Sequence, residues 1–187
     1  VFHPILGRLL SPSDFGDVQA LISLIAQSAI IFGAFSLVVV NITTNIDNSD
    51  ERNAIISELQ KIAFYLIGVI FFLLLFAIPE LKSFFNFSTV FPLIGLAVVL
   101  PISSLTTFRN AYLQGRGKFK ELSFSGVISA AGRLIFVVLF ILLGLGVIGA
   151  TLGIVLAMVL VLIYLFKKTR DSLKISSSAN VHILDKD

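Results

Sequence analysis

Thirty-three consecutive residues, 134–166, carry no charged side chain. As a helix rising 1.5 Å per residue they would extend roughly 50 Å, whereas the hydrocarbon core of a bilayer is roughly 30 Å thick and takes about 20 residues to cross. A single crossing leaves too much chain, so the run must fold back on itself. Gly144-Leu145-Gly146 supplies a tight turn, and the pattern predicts spans over about 122–143 and 147–166.

Three further uncharged runs, 18–46, 62–79 and 83–108, constrain the remainder. Ser11-Pro12-Ser13-Asp14 reads as a helix start: a serine cap, a proline in the first turn and an acid near the exposed amides. The first complete span is therefore expected over about 18–42. Asn48-Ser49-Asp50-Glu51 reads the same way, opening a helix near Ser49 whose membrane portion covers about 60–79. Pro92 and Pro101 lie inside the third run. Proline is tolerated in a membrane helix where neighbours satisfy the freed carbonyl, which predicts a kinked span over about 90–110. Residues 2–10 read as the tail of an earlier helix. The expected fold is all-α, a polytopic transmembrane bundle over 1–170 with five complete spans and the end of an earlier one, followed by a polar linker or tail over 171–187. The chain opens on Val1 and its one methionine, Met158, lies inside a span, so more sequence is expected upstream.

Composition narrows the function. Hydrophobic residues make up 57% of the chain and charged residues 13%, against about 25% charged in a soluble domain. That excludes an ordinary soluble enzyme, and so much apolar surface excludes a disordered chain. The net charge of +3 does not describe a nucleic-acid surface, because the charges sit in short clusters between the uncharged runs. Cysteine is absent, which removes disulfides, thiolate metal sites and a cysteine nucleophile. No span holds a carboxylate pair, a Ser/His/Asp set or a metal-ligand cluster. The reading is therefore a non-enzyme without metal or cofactor. Lysine and arginine set the orientation. If the 41–61 connection is cytoplasmic, eleven of them fall on that side and only Arg8 and Lys82 on the other. The carboxy-terminal tail is then cytoplasmic as well.

Few residues break this pattern. Residues 144–149 spell GxGxxG, but they lie between membrane spans with no acid about 20 residues on, so a turn and a small-residue helix contact (Gly149 and Gly153) account for them. Arg133 falls 11 residues after Leu122 and 10 before Leu143, near the expected midplane. A charge there costs at least about 2.5–3.5 kcal/mol, and such residues face a bundle interior or a wet cavity. No acid lies in a span to pair with it, and an unpaired cation suits an anionic ligand such as a phosphate or diphosphate. The alternatives are hydrogen bonds to carbonyls in a packed interior, or a later span start that leaves Arg133 at an interface. Gln27, Ser28 and Asn41 are polar positions of the first complete span. Gln27 is deep enough to line a cavity or to bond to another helix. His3 and His182 are isolated and receive no role.

Two stretches carry a family resemblance. Leu6-Gly7-Arg8-Leu9-Leu10-Ser11-Pro12-Ser13-Asp14-Phe15-Gly16 resembles the R-L-L-x-P-x-x-F/Y-G junction between the first two helices of the polysaccharide-biosynthesis, or oligosaccharide flippase, proteins. Phe108-Arg109-Asn110-Ala111-Tyr112-Leu113-Gln114-Gly115-Arg116-Gly117-Lys118-Phe119 resembles their R-x-x-L-Q-G-x-x-x-F loop after the fourth helix, with one residue more between Arg109 and Leu113. The resemblance implies a MATE-like architecture, two six-helix lobes around a central cavity working by alternating access. This chain corresponds to most of the amino-terminal lobe. The function implied is movement of undecaprenyl-diphosphate-linked oligosaccharide, such as an O-antigen unit of lipopolysaccharide, across the bacterial inner membrane. Its partners are then the lipid-linked oligosaccharide, membrane lipids, and the missing helix and second lobe, with no nucleic acid. On this reading Arg133 contacts the diphosphate or an acidic sugar and Gln27 is a secondary hydrogen-bonding group. Arg109 and Arg116 stand at the cytoplasmic mouth, where ordinary positive-inside anchoring also accounts for them. The competing functions are a MATE-type exporter of small cations, a membrane enzyme of the same pathway, and a structural membrane module.

Overall fold

The computed structural model describes residues 2–169, and all of its regular structure is helical: α1 Phe2–Leu9, α2 Pro12–Asn45, α3 Ser49–Phe84, α4 Phe91–Gly115, α5 Phe119–Leu142 and α6 Gly146–Thr169. The five helices after α1 are long and apolar enough to cross a membrane. At 1.5 Å per residue, even the 24 residues of α5 and α6 reach about 36 Å. The expected segment 171–187 lies outside the described residues.

Burial shows how the bundle is organised. In the most apolar stretch of α4, 61% of residues are buried, against 44% in α6, 22% in α5 and 11% in each of α2 and α3. The helix at the centre is therefore α4, with α2, α3 and α6 against it and α5 laid on α6. The outer faces of α2 and α3 remain apolar, with Ile30, Leu37, Phe64, Tyr65, Phe72 and Phe76 exposed. Such a surface suits hydrocarbon rather than water.

Local chemistry explains the helix ends. Ser11 caps α2 by accepting a hydrogen bond from the Asp14 amide at 3.1 Å, with Pro12 in the first turn. At the other end of α2, the buried Arg52 of α3 donates through Nη1 to the Ile46 carbonyl at 3.1 Å and the Asp47 carbonyl at 3.4 Å. A cation on those carbonyls complements the negative end of the helix dipole.

The prolines behave differently from the expectation. Pro92 stands in the first turn of α4, where a missing N–H removes no bond, and only Pro101 is interior to that helix. Helix α3 continues through Pro79 to Phe84, because in an apolar surround each remaining backbone bond is worth keeping.

The α5–α6 hairpin turns where expected. Gly144 and Gly146 adopt φ of +83° and +49°, and the Gly144 and Leu145 amides close onto the Ile141 and Phe140 carbonyls. Beyond the turn, Gly153 packs directly on α5. A Cβ there would stand 2.6 Å from the Val137 nitrogen and 2.7 Å from its Cα.

Cross-links at both ends fix the antiparallel order. Asp17 of α2 accepts the Ser88 amide at 3.1 Å and the Ser88 hydroxyl, tying the α3–α4 loop to the start of α2. At the opposite end the Thr44 hydroxyl reaches the Gly115 carbonyl at 3.5 Å, and the Tyr164 hydroxyl the Glu121 carbonyl at 3.5 Å. Arg52, Arg116, Lys118, Lys120, Lys167 and Lys168 gather at this second end, while Arg8 and Lys82 stand at the first.

The Gly153 contact makes a prediction. Gly153→Ala drives a methyl group into backbone that cannot rotate away and should destabilise the bundle by about 1–3 kcal/mol. Gly68→Ala, where an added Cβ meets nothing within 4 Å, should leave stability unchanged. Thermal unfolding of both variants in detergent checks the contrast, and equal midpoints would refute the α5–α6 contact.

Candidate functional site

Residues four apart share one face of a helix. On α5 that spacing aligns Ser125, Ser129 and Arg133, and on α4 Ser103, Thr106 or Thr107, and Asn110 form the corresponding polar face. The structure sets these two faces beside each other. The Ser125 hydroxyl lies 2.9 Å from Asn110 Oδ1 and 2.7 Å from the Leu122 carbonyl. A hydroxyl has one proton, so when Ser125 donates to Leu122 the Asn110 amide must turn its NH2 toward Ser125.

Arg133 stands where two cavities meet. The first, 290 Å³, is walled by α2, α4 and α6, with Ser28, Phe32, Ser103, Thr106, Thr107 and Met158 around the arginine. The second, 460 Å³, lies toward α1 and is lined by Phe2, His3, Gly126, Ser129, Ala130 and Leu134 together with Arg133. A third recess of 180 Å³ continues along the α4–α5 seam past Thr106, Ser125, Ser129 and Asn110. It shares Thr106 and Met158 with the first cavity and Gly126 and Ser129 with the second.

The electrostatics of this region are one-sided. No carboxylate lines any of the three cavities. Among the described residues the ion pair is Lys61–Glu58 at 2.8 Å, far from Arg133 along the chain and exposed. Arg133 is half-buried at the cavity junction, about 21 Å along α5 from its start. Its planar guanidinium presents five N–H donors that neither an acid nor a neighbouring side chain occupies among the described residues. In a medium of low dielectric, such a cation attracts an anion far more strongly than it would in water. Several cavity hydroxyls donate to their own helix, Ser28 to Ile25 at 2.7 Å and Thr106 to Ser103 at 2.9 Å, which leaves their lone pairs to accept from a ligand.

The other residues singled out from the sequence fall elsewhere. Gln27 is exposed and lines none of the cavities. Five helix positions from Ile22, it has turned to the opposite side of α2, and its neighbour Ser28 takes the cavity position. Arg109 and Arg116 part company. Arg116 is exposed in the α4–α5 turn. Arg109 is buried between α4 and α6, with its guanidinium carbon 3.5 Å from the centre of the Phe166 ring and Nη1 donating to Thr169 Oγ1. Its Nε is buried without a partner among the described residues. His3, which received no role from the sequence, accepts at Nδ1 a 2.6 Å hydrogen bond from Gln19 Nε2 and borders the second cavity. The Ser125–Ser129–Arg133 stripe was the available signal for this region, a period of four polar residues in an otherwise apolar helix.

Comparison with known proteins adds a family. A family model described as polysaccharide biosynthesis protein matches residues 1–183. Neither a curated protein nor a solved structure matches the chain.

The two arginines make a prediction about scaffolding. Arg109→Ala removes the stacking on Phe166 and the bond to Thr169, and should lower stability by about 1–2 kcal/mol. Phe166→Leu should give part of that loss, and Arg116→Ala none. Detergent unfolding midpoints measure all three; a stable Arg109→Ala would remove Arg109 from the α4–α6 contact.

Proposed function

We propose a function from the premise that this chain belongs to the polysaccharide biosynthesis protein family, whose members are typically membrane transporters and flippases. It moves undecaprenyl-diphosphate-linked oligosaccharide across the bacterial inner membrane by alternating access, and this chain supplies most of the amino-terminal lobe of a MATE-like protein. The observation that carries this reading is Arg133, a cation without a carboxylate partner at the junction of two cavities deep in a span.

The physical problem is to pass a charged, hydrated headgroup through hydrocarbon while its lipid tail stays in the bilayer. An isolated phosphate in an apolar medium loses its hydration at great cost. Arg133 offers a replacement, a planar fork of donors suited to the oxygens of a phosphate. The hydroxyls of Ser28, Ser103, Thr106 and Thr107 offer further partners around it. No residue here needs to break a bond; the work is solvation and exposure to alternate sides. A small-cation exporter is the poorer fit, since Arg133 would repel such a cargo.

The end of the bundle bearing Arg116, Lys118, Lys120, Lys167 and Lys168 faces the cytoplasm on this reading, by the excess of basic residues there. Arg116 at that mouth meets the anionic substrate or anionic lipid.

Two outcomes follow. Arg133→Ala in the full-length parent should cut export of surface polysaccharide by about 10- to 100-fold, the worth of one charge-assisted contact of roughly 1.5–3 kcal/mol. Arg133→Lys should retain a fraction, because the charge survives without the fork. Unchanged export with alanine would sink the headgroup role. Sidedness is checked separately, since this chain has no cysteine of its own. In intact cells a membrane-impermeant thiol reagent should label cysteine placed at Ser83 and not at Gln114, both exposed positions. The reverse pattern would invert the topology.

A further inference from the structure

The seam between α4 and α5 supplies no cation for a phosphate. Its side chains are neutral, and it runs from the Arg133 junction to the Asn110–Ser125 contact. We propose that this seam is the subsite for the sugar portion of the ligand, a neutral, hydroxyl-rich carbohydrate whose phosphoryl end lies at Arg133. The proposal rests on the flippase reading above and adds the place where the saccharide binds.

Three observations support it together. The first is continuity. The 180 Å³ recess shares Gly126 and Ser129 with the 460 Å³ cavity, and Arg133 borders that cavity in turn. A group held by the arginine is therefore covalently within reach of the seam. The second is size. Water takes about 30 Å³ in the liquid, so these are spaces for several waters or for a ring, not packing defects that hold one. Gly126 keeps the wall open, since no side chain projects from it and an added Cβ would meet nothing within 4 Å.

The third is chemistry. A sugar hydroxyl donates once and accepts twice, so it is best met by groups that do both. Asn110 offers a carbonyl and an NH2, while Ser125, Ser129 and Thr106 offer hydroxyls. The 2.9 Å contact between Ser125 and Asn110 gives each group one partner when the site is empty. A sugar hydroxyl inserted there exchanges that contact for two of its own, so entry leaves no buried polar group unsatisfied. A charged seam would instead compete with Arg133 for the phosphoryl end, and an apolar one would reject the sugar.

The test uses a cysteine-free version of the full-length parent in membranes, with single cysteines at Ser129 in the seam or Ser28 in the 290 Å³ cavity. Each is probed by the rate of reaction with a small water-soluble thiol reagent. Two ligands are compared at ten times their Kd: undecaprenyl diphosphate and the same lipid carrying its oligosaccharide. The oligosaccharide-bearing lipid should slow labelling at position 129 about tenfold, as expected for occupancy at that concentration, and the bare diphosphate should leave it unchanged. Both lipids should protect position 28.

Equal protection of position 129 by both lipids would overturn the sugar subsite. So would a position 129 that neither lipid protects, or that never reacts, while position 28 is protected; the flippase reading would survive in those cases. Failure of both lipids to protect either position would remove the flippase reading along with the subsite.

Discussion

Hydrocarbon offers the chain neither hydrogen bonds nor solvation for charge, and most of this structure follows from that. Every backbone group in a span must be satisfied within its own segment, which makes helices the available solution. Helix α3 accordingly runs on past Pro79, and α4 past Pro101. Side-chain hydroxyls obey the same demand. Thr43, Thr151 and Thr169 each donate to the carbonyl four residues back on their own helix, at 2.6, 2.9 and 2.8 Å. Left-handed glycines are confined to the turns, Gly117 at one end of the bundle and Gly144 and Gly146 at the other.

Without a strong hydrophobic drive between helices in lipid, association depends on close packing and a few polar contacts. The α5–α6 hairpin shows the first, with Gly153 against the Val137 backbone. The ends of the bundle show the second, with Asp17 holding Ser88 and Arg109 holding Thr169. The cavities lie around Arg133 and along the α4–α5 seam.

The sequence was most informative where the bilayer dictates the answer. Uncharged runs and capping residues located all five long helices, the hairpin turn and the start of α2 at Pro12. It was least informative about rotation. Helix α2 is apolar nearly all round because one side meets lipid and the other meets α4, so no periodic contrast shows that Ser28, and not Gln27, borders the cavity. Pro92 illustrates the same limit along the axis. A proline inside an uncharged run looks like a kink until the loop before it is known to extend to Val90. Arg109 and Arg116 belong to one motif and one basic cluster, yet packing against Phe166 buries only the first. That packing is a tertiary fact, and spacing along the chain does not contain it.

Arg109 and Arg133 pose the same electrostatic problem and receive different answers. Each is an arginine in a helical span with no ion-pair partner among the described residues. Arg109 is accommodated from within: an aromatic face lies 3.5 Å away and a threonine hydroxyl accepts from it. Arg133 is left facing space on two sides. A buried charge costs at least about 2.5–3.5 kcal/mol, a sizeable part of the roughly 5–15 kcal/mol by which folded proteins are stable. The surrounding α4 and α5 side chains are polar but neutral, so they lessen that cost without cancelling the charge. A protein selected for stability alone would place leucine there. What distinguishes the position on the proposed reading is that its charge is offset when an anion enters the cavities beside it.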